Sequence, residues 1–120
     1  VTVRAWHPNF RRYAGAQLNK RFEQTHDTPM GDQAWAAWAA VKMSSDMIAR
    51  GAGSSSKRLL RALRTELSFD GQKGSAMSFR ENGQLRQPLL LIAGDKIVGE
   101  APVRGIASDL DSLGASHCLD

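Results

Sequence analysis

Apolar positions fall into two different rhythms along this chain. In the first half they recur every three to four residues. In the last third they alternate or run together in short blocks. Residues 2–6, "TVRAW", alternate and predict a short strand, which His7-Pro8 ends because proline has no amide donor and holds its predecessor extended. Phe10, Ala14, Leu18 and Phe22 then recur at intervals of four. With Asn9 as N-cap they predict an amphipathic helix ending near Gln24–His26.

"THDTPMGD" is a connector punctuated by Pro29 and Gly31. The stretch "DQAWAAWAAVKMSSDMIARG" follows, with Asp32 placed to cap it, alanines giving high helix propensity, and Gly51 supplying a left-handed stop. Its first half is apolar nearly all round, from Ala34 to Val41. Such a helix needs more than one packing neighbour. A domain of 120 residues is expected to leave the Trp35/Trp38 face partly uncovered. "GAGSSS" is a flexible link closing in a serine cap. "KRLLRALRTEL" predicts a third helix with Leu59, Leu60, Leu63 and Leu67 on one stripe.

After the glycine-bearing loop "FDGQKG", "SAMSF" alternates as a short strand with Met77 and Phe79 on one face. Glu81-Asn82-Gly83-Gln84 is a turn. "QPLLLI" is expected to be a strand covered on both faces, with Pro88 at its start. Ala93-Gly94-Asp95-Lys96 turns the chain into "IVGEA", its partner. The order strand–helix–helix–helix–strand–strand–strand is α/β: three helices, then a short strand and a C-terminal β-hairpin. The folded unit is expected to span 1–106 as a single α/β domain, with 107–120 a lightly held tail.

Composition changes this picture little. The chain is 42% hydrophobic and carries a net charge of +4. Its cations are spread along helical segments (Arg11, Arg12, Lys20, Arg21; Lys57, Arg58, Arg61, Arg64), which reads as solvated faces and not as a nucleic-acid surface. No apolar run is long enough to span a membrane as a helix. Cys118 is the single cysteine, so it has no internal disulfide or metal partner. His7, His26 and His117 lack metal-ligand spacing, "ARGAGSSSK" lacks the P-loop spacing, and Asp109/Asp111 lie in the expected tail. The residues predict no enzyme and call for no cofactor or metal. The strand-like start at Val1 is expected to be a cut end.

"HPNFRRYAGAQLNKRF", "DQAWAAWAAVK", "LSFDGQKG", "SFRENGQLRQPLLL" and "DLDSLG" together, in order, resemble the C-terminal third of a type 1 periplasmic solute-binding protein. This is the receptor class of the branched-chain amino acid ABC transporters. The similarity is greatest to the subgroup associated with pyrroloquinoline-quinone-dependent alcohol dehydrogenase systems, and it covers nearly all of residues 6–114. It implies part of a fold in which two α/β lobes clamp a solute, a periplasmic location, a small-molecule solute as ligand and ABC permease subunits as partners. It also implies that Gln33 and Trp35, at the start of the aromatic helix, lie at the cleft edge. There Trp35 would stack on solute and Gln33 would hydrogen-bond to it. The bland alternative is that Trp35 is core and Gln33 an exposed first-turn residue. A different class of function is a small self-associating interaction module that uses the Trp35/Trp38 surface and an exposed hairpin edge.

Overall fold

The computed structural model describes residues 1–102 together with Leu110 and Leu113. Its elements are β1 (Thr2–Arg4), α1 (Gly15–His26), α2 (Asp32–Met47), α3 (Ser56–Thr65), β2 (Ser78–Phe79), β3 (Leu85–Arg86), β4 (Leu89–Ala93) and β5 (Lys96–Ala101). They form a small mixed helix/sheet domain in which every strand pair is antiparallel. One sheet has the order β1-β4-β5 and the other pairs β2 with β3. The expected boundary at 106 and the tail 107–120 lie outside the described residues, apart from two leucines. Leu110 packs against the core, and the carbonyl of Leu113 accepts a hydrogen bond from the Arg80 guanidinium.

β1 pairs with β4 in the register Thr2↔Ile92 and Arg4↔Leu90, so the chain's first strand is held by one of its last. β4 returns through Gly94, at φ 63°, into β5, with a register shift between Leu91 and Ile92. A left-handed backbone costs a residue with a Cβ about 1–2 kcal/mol, and glycine avoids it. The aliphatic run is not covered on both faces as expected. Leu90 and Ile92 are buried while Leu89 and Leu91 are half-buried, the alternation of a strand with one face on the core. Within "QPLLLI" the strand begins at Leu89, directly after Pro88. β3 closes a separate small hairpin with β2 across the Asn82-Gly83 turn, where Asn82 Oδ1 accepts from the Gln84 amide at 3.0 Å. Pro88 sits between β3 and β4 because it has no amide to donate to either ladder. The segment from Arg86 to Leu89 is therefore the step from one small sheet to the other.

Three further expectations are corrected. α1 starts at Gly15, not after Asn9. Tyr13 takes φ 55°, which interrupts any helix begun upstream, and Asn9 Nδ2 donates to the Asp95 carbonyl at 2.9 Å in place of capping. Phe10 is buried from a turn and packs on Gly15, where an added Cβ would stand 2.6 Å from its ring. Asp32 is the first residue of α2 and Gly31 occupies the cap position. On α3, Ser55 caps as expected, accepting from the Arg58 amide at 3.0 Å. Leu60, however, leaves the inward stripe at 54% exposed, and Ala62 at 0% takes the centre of the buried face. Leu59, Ala62 and Leu63 are three and four apart and share that face.

The core runs from Trp6 and Phe10 through Met30, Trp35, Ala39, Met43 and Met47 of the helical layer to Phe69, Met77, Leu90 and Ile92. α2 ends in a wider turn over Ile48–Ala52, broken by Gly51 at φ 100°. The expectation of an uncovered Trp35/Trp38 face is overturned for Trp35, which is 2% exposed. Trp38 is half-buried and meets Phe69 at 6.0 Å between ring centroids. The cover comes from loop 69–77, clipped shut by the Phe69↔Met77 bridge, which folds back over α2.

That closure rests on Gly71. It takes φ 61°, and an added Cβ would stand 2.4 Å from Met77 Cε and 3.0 Å from Trp35 Cζ2. Gly83 is also left-handed, at φ 89°, but nothing lies within 4 Å of its Cβ direction. Gly71→Ala is expected to destabilise by about 3 kcal/mol, backbone strain plus overpacking, and Gly83→Ala by only about 1 kcal/mol. Urea unfolding followed by tryptophan fluorescence measures both. Equal losses would remove the steric part of the argument.

Candidate functional site

The N-terminal end of α2 is where the chain concentrates polar chemistry beside its aromatic core. Asp32 projects from the first turn and accepts from the Trp6 amide at 3.1 Å and the Ala5 amide at 3.4 Å. The carboxylate thus satisfies two amides beyond the end of β1 and fixes that strand against α2. Arg4 lies 4.0 Å from the same carboxylate, both side chains partly exposed. A surface pair of this kind adds at most about 1 kcal/mol.

Behind Asp32, Trp6 stacks on Trp35 at 6.1 Å with an interplanar angle of 12°, and Phe10 meets Trp6 edge-on at 5.1 Å. Each indole N–H has a partner, as a buried donor must. Trp6 Nε1 donates to Asn19 Oδ1 at 2.8 Å, and Trp35 Nε1 donates to the Gly71 carbonyl at 3.1 Å. Asn19 in turn donates to the Phe10 carbonyl at 3.0 Å, so a helix side chain replaces the backbone partner that the turn before α1 lacks.

Lys73 is the unexpected member. It is 2% exposed, and its ammonium sits 4.0 Å from the centroid of the Trp35 ring. Nζ donates to Gln87 Oε1 at 2.8 Å and to the Pro88 carbonyl at 3.1 Å. An ammonium has three protons; two are taken by oxygens, and the π face attracts the cation as a whole. Burial nevertheless pushes its pKa down to about 7, with the Asp32 charge partly opposing the shift. In the sequence "FDGQKG" shows only as a glycine-bearing loop. A lysine between two glycines carries no periodic signal, and only its contacts with Trp35 and Pro88 mark it.

An open cleft of about 590 Å³ lies outside this cluster. Arg4, His7, Asp32, Gln33 and Asp95 line it, so strand β1, the start of α2 and the β4–β5 turn all contribute. The structure therefore puts Gln33 at a solvent-facing cleft and Trp35 inside the core. The two are not brought together. Residues two apart on a helix point to different sides, and the side that takes Trp35 inward leaves Gln33 outward. Trp35 offers no free face to a solute in this chain. Among the described residues no group of His, Cys, Asp and Glu is arranged to hold a metal ion, and no helix is long and apolar enough to cross a membrane.

No family model matches this chain, and neither a curated protein nor a solved structure matches it.

Trp35→Ala is expected to lower stability by about 3–5 kcal/mol, the usual cost of truncating a buried aromatic. Trp38→Ala, half-buried, is expected to cost less. Chemical denaturation of both variants tests the ranking, and the reverse order would move the structural centre to Trp38. Lys73 gives a pH signature. Its folded pKa of about 7 lies below the ordinary 10.5, so between these values the unfolded chain holds a proton that the folded chain has released. Stability is then lowest below pH 7 and rises toward pH 10. The wild-type melting temperature should climb over that interval, and Lys73→Met should flatten the climb. The same slope in both proteins would assign it to other groups.

Proposed function

We propose that this chain is the closing portion of a periplasmic solute-binding component of an ABC importer, part of a two-lobed receptor linked to pyrroloquinoline-quinone-dependent alcohol oxidation. The reading rests on the ordered motifs that resemble the last third of that receptor class. The observation that carries it furthest is the cleft at the start of α2. It is polar and open to solvent, and Gln33 lines it. A second lobe facing it would complete an enclosed site, and closure around solute would create the form that permease subunits recognise. The strand edges fit a larger assembly too: Val3 on β1 is 57% exposed and Val98 on β5 is 58% exposed. No covalent chemistry is required of any residue.

Within this reading the roles divide differently from the resemblance alone. Gln33 is the residue of this chain that meets solute. Trp35 holds the wall behind it by stacking on Trp6 and bonding to the Gly71 carbonyl. The competing idea of a self-associating module through the Trp35/Trp38 face keeps only its outer half, where half-buried Trp38 adjoins Val41 at 72% exposed.

Calorimetric titration of short alcohols, branched-chain amino acids and aromatic acids into the receptor containing both lobes tests the proposal. A solute should bind saturably, and Gln33→Ala should weaken it about ten-fold, the loss of one well-placed hydrogen bond. The same solute should bind residues 1–120 alone at least about a hundred-fold more weakly, because half the contacts are missing. Undiminished binding by residues 1–120 would overturn the two-lobed account, and so would an unchanged affinity in the Gln33 variant.

A further inference from the structure

α1 and α2 leave a groove between them, to which Trp38 and Lys42 contribute from α2. Four larger apolar side chains line it, beside the polar Gln17, Thr25 and Gln72. Leu18 and Phe22 come from α1, Met30 from the connector and Trp38 from α2. Three of these, Leu18, Phe22 and Trp38, are only half-buried, so the groove shows aromatic and aliphatic surface to solvent. One side of Trp38 is taken by Phe69, which holds the indole in place as a wall of the groove. The space is about 420 Å³ and continues past Phe22 and Trp38 into a second, more apolar trough beside Ala37 and Val41. That volume is within the range of small-molecule sites.

The charge around this groove has one sign. Arg21 and Lys42 stand at the rim, the His26 ring packs on Phe22 at 4.5 Å, and no carboxylate lines either part of the groove. Lys42 has an exposed partner one turn on, Asp46 at 3.7 Å, a weak pair that an incoming anion can replace. Apolar side chains beneath two exposed cations favour an anion with an apolar body over a cation of the same shape. The groove suits a molecule that is flat or extended at one end and anionic at the other.

We propose that the α1–α2 groove is a binding site for a small aryl or alkyl carboxylate. The apolar body lies on Trp38, Phe22 and Leu18, and the carboxylate lies between Arg21 and Lys42. The site is separate from the cleft at Gln33 and does not rest on the receptor reading. Both cations are exposed and outside the core, so their replacement tests binding without testing folding.

The test uses 4-phenylbutyrate, the neutral 4-phenylbutanol and the cationic 4-phenylbutylamine, titrated into the 120-residue chain. Protein NMR follows the three indole N–H signals of Trp6, Trp35 and Trp38. The carboxylate should shift the Trp38 signal saturably. The alcohol should bind about five-fold more weakly and the amine more weakly still, as expected for losing or reversing an exposed ion pair. Arg21→Glu with Lys42→Glu should reverse the order of carboxylate and amine, while Arg64→Glu, a charge reversal on α3 away from the groove, should leave that order unchanged. Equal affinity for the three probes, an order unchanged by the double reversal, or no shift at Trp38 would each overturn the proposal.

Discussion

The side chain of Trp35 ties together parts of the chain that nothing else holds in common. It sits on α2, stacks on Trp6 beyond the end of β1, donates to the Gly71 carbonyl and lies under the Lys73 ammonium. These contacts span sequence separations that local structure never bridges. An indole serves this purpose because it combines a large apolar face with one polar edge, so burial is favourable only where that N–H finds an acceptor. The acceptor is a backbone carbonyl in a loop that reaches it only with glycine at position 71. The aromatic core and the shape of loop 69–77 are therefore one constraint.

Lys73 shows the same dependence from the polar side. A buried ammonium is tolerated when its donors are matched and its charge is stabilised nearby. Gln87, the Pro88 carbonyl and the Trp35 ring provide this, at the junction where β3 gives way to β4. Pro88 contributes a free carbonyl and no competing amide, which explains why this junction can accept the lysine. Loop 69–77 is thus fastened at both levels, by Gly71 to the helix and by Lys73 to the step between the sheets. Burial pushes the Lys73 pKa down to about 7, so these contacts act against the desolvation of its ammonium.

The polar cleft and the α1–α2 groove lie on different sides of this fastened centre. Gln33 lines the first and Trp38 the second. With Trp35 between them turned inward, α2 presents two surfaces of opposite character, one mixed in charge around Arg4, Asp32 and Asp95, the other cationic around Arg21 and Lys42. A helix apolar over most of its circumference reads in sequence as a shortage of cover. In the fold it is a helix whose neighbours are unequal: the sheet-side cluster on one flank, a loop on another, and an open groove on the third.

The long helices were legible because their signals are local: alanine content and periodicity for α2, a serine cap for α3, and left-handed glycine at Gly51 and Gly94. The β4–β5 hairpin was legible for the same reason. Gln33 was legible as an exposed first-turn residue of α2. What spacing misjudged was each case in which a distant residue decided the outcome. Phe10 kept the interval of a helix yet packs from a turn, because Tyr13 and the Asp95 carbonyl set the backbone there. Leu60 gave way to Ala62 because α3 turns inward the face that Ala62 shares with Leu59 and Leu63. Trp35 and Lys73 carried no one-dimensional sign of their meeting. By itself the sequence determined which segments are helical, where the chain turns and which residues are apolar, since backbone propensity and side-chain period act over a few residues. Only the tertiary structure decided which tryptophan is covered, which cation is buried and which face of α2 stays open, since those outcomes depend on contacts between residues more than a dozen positions apart.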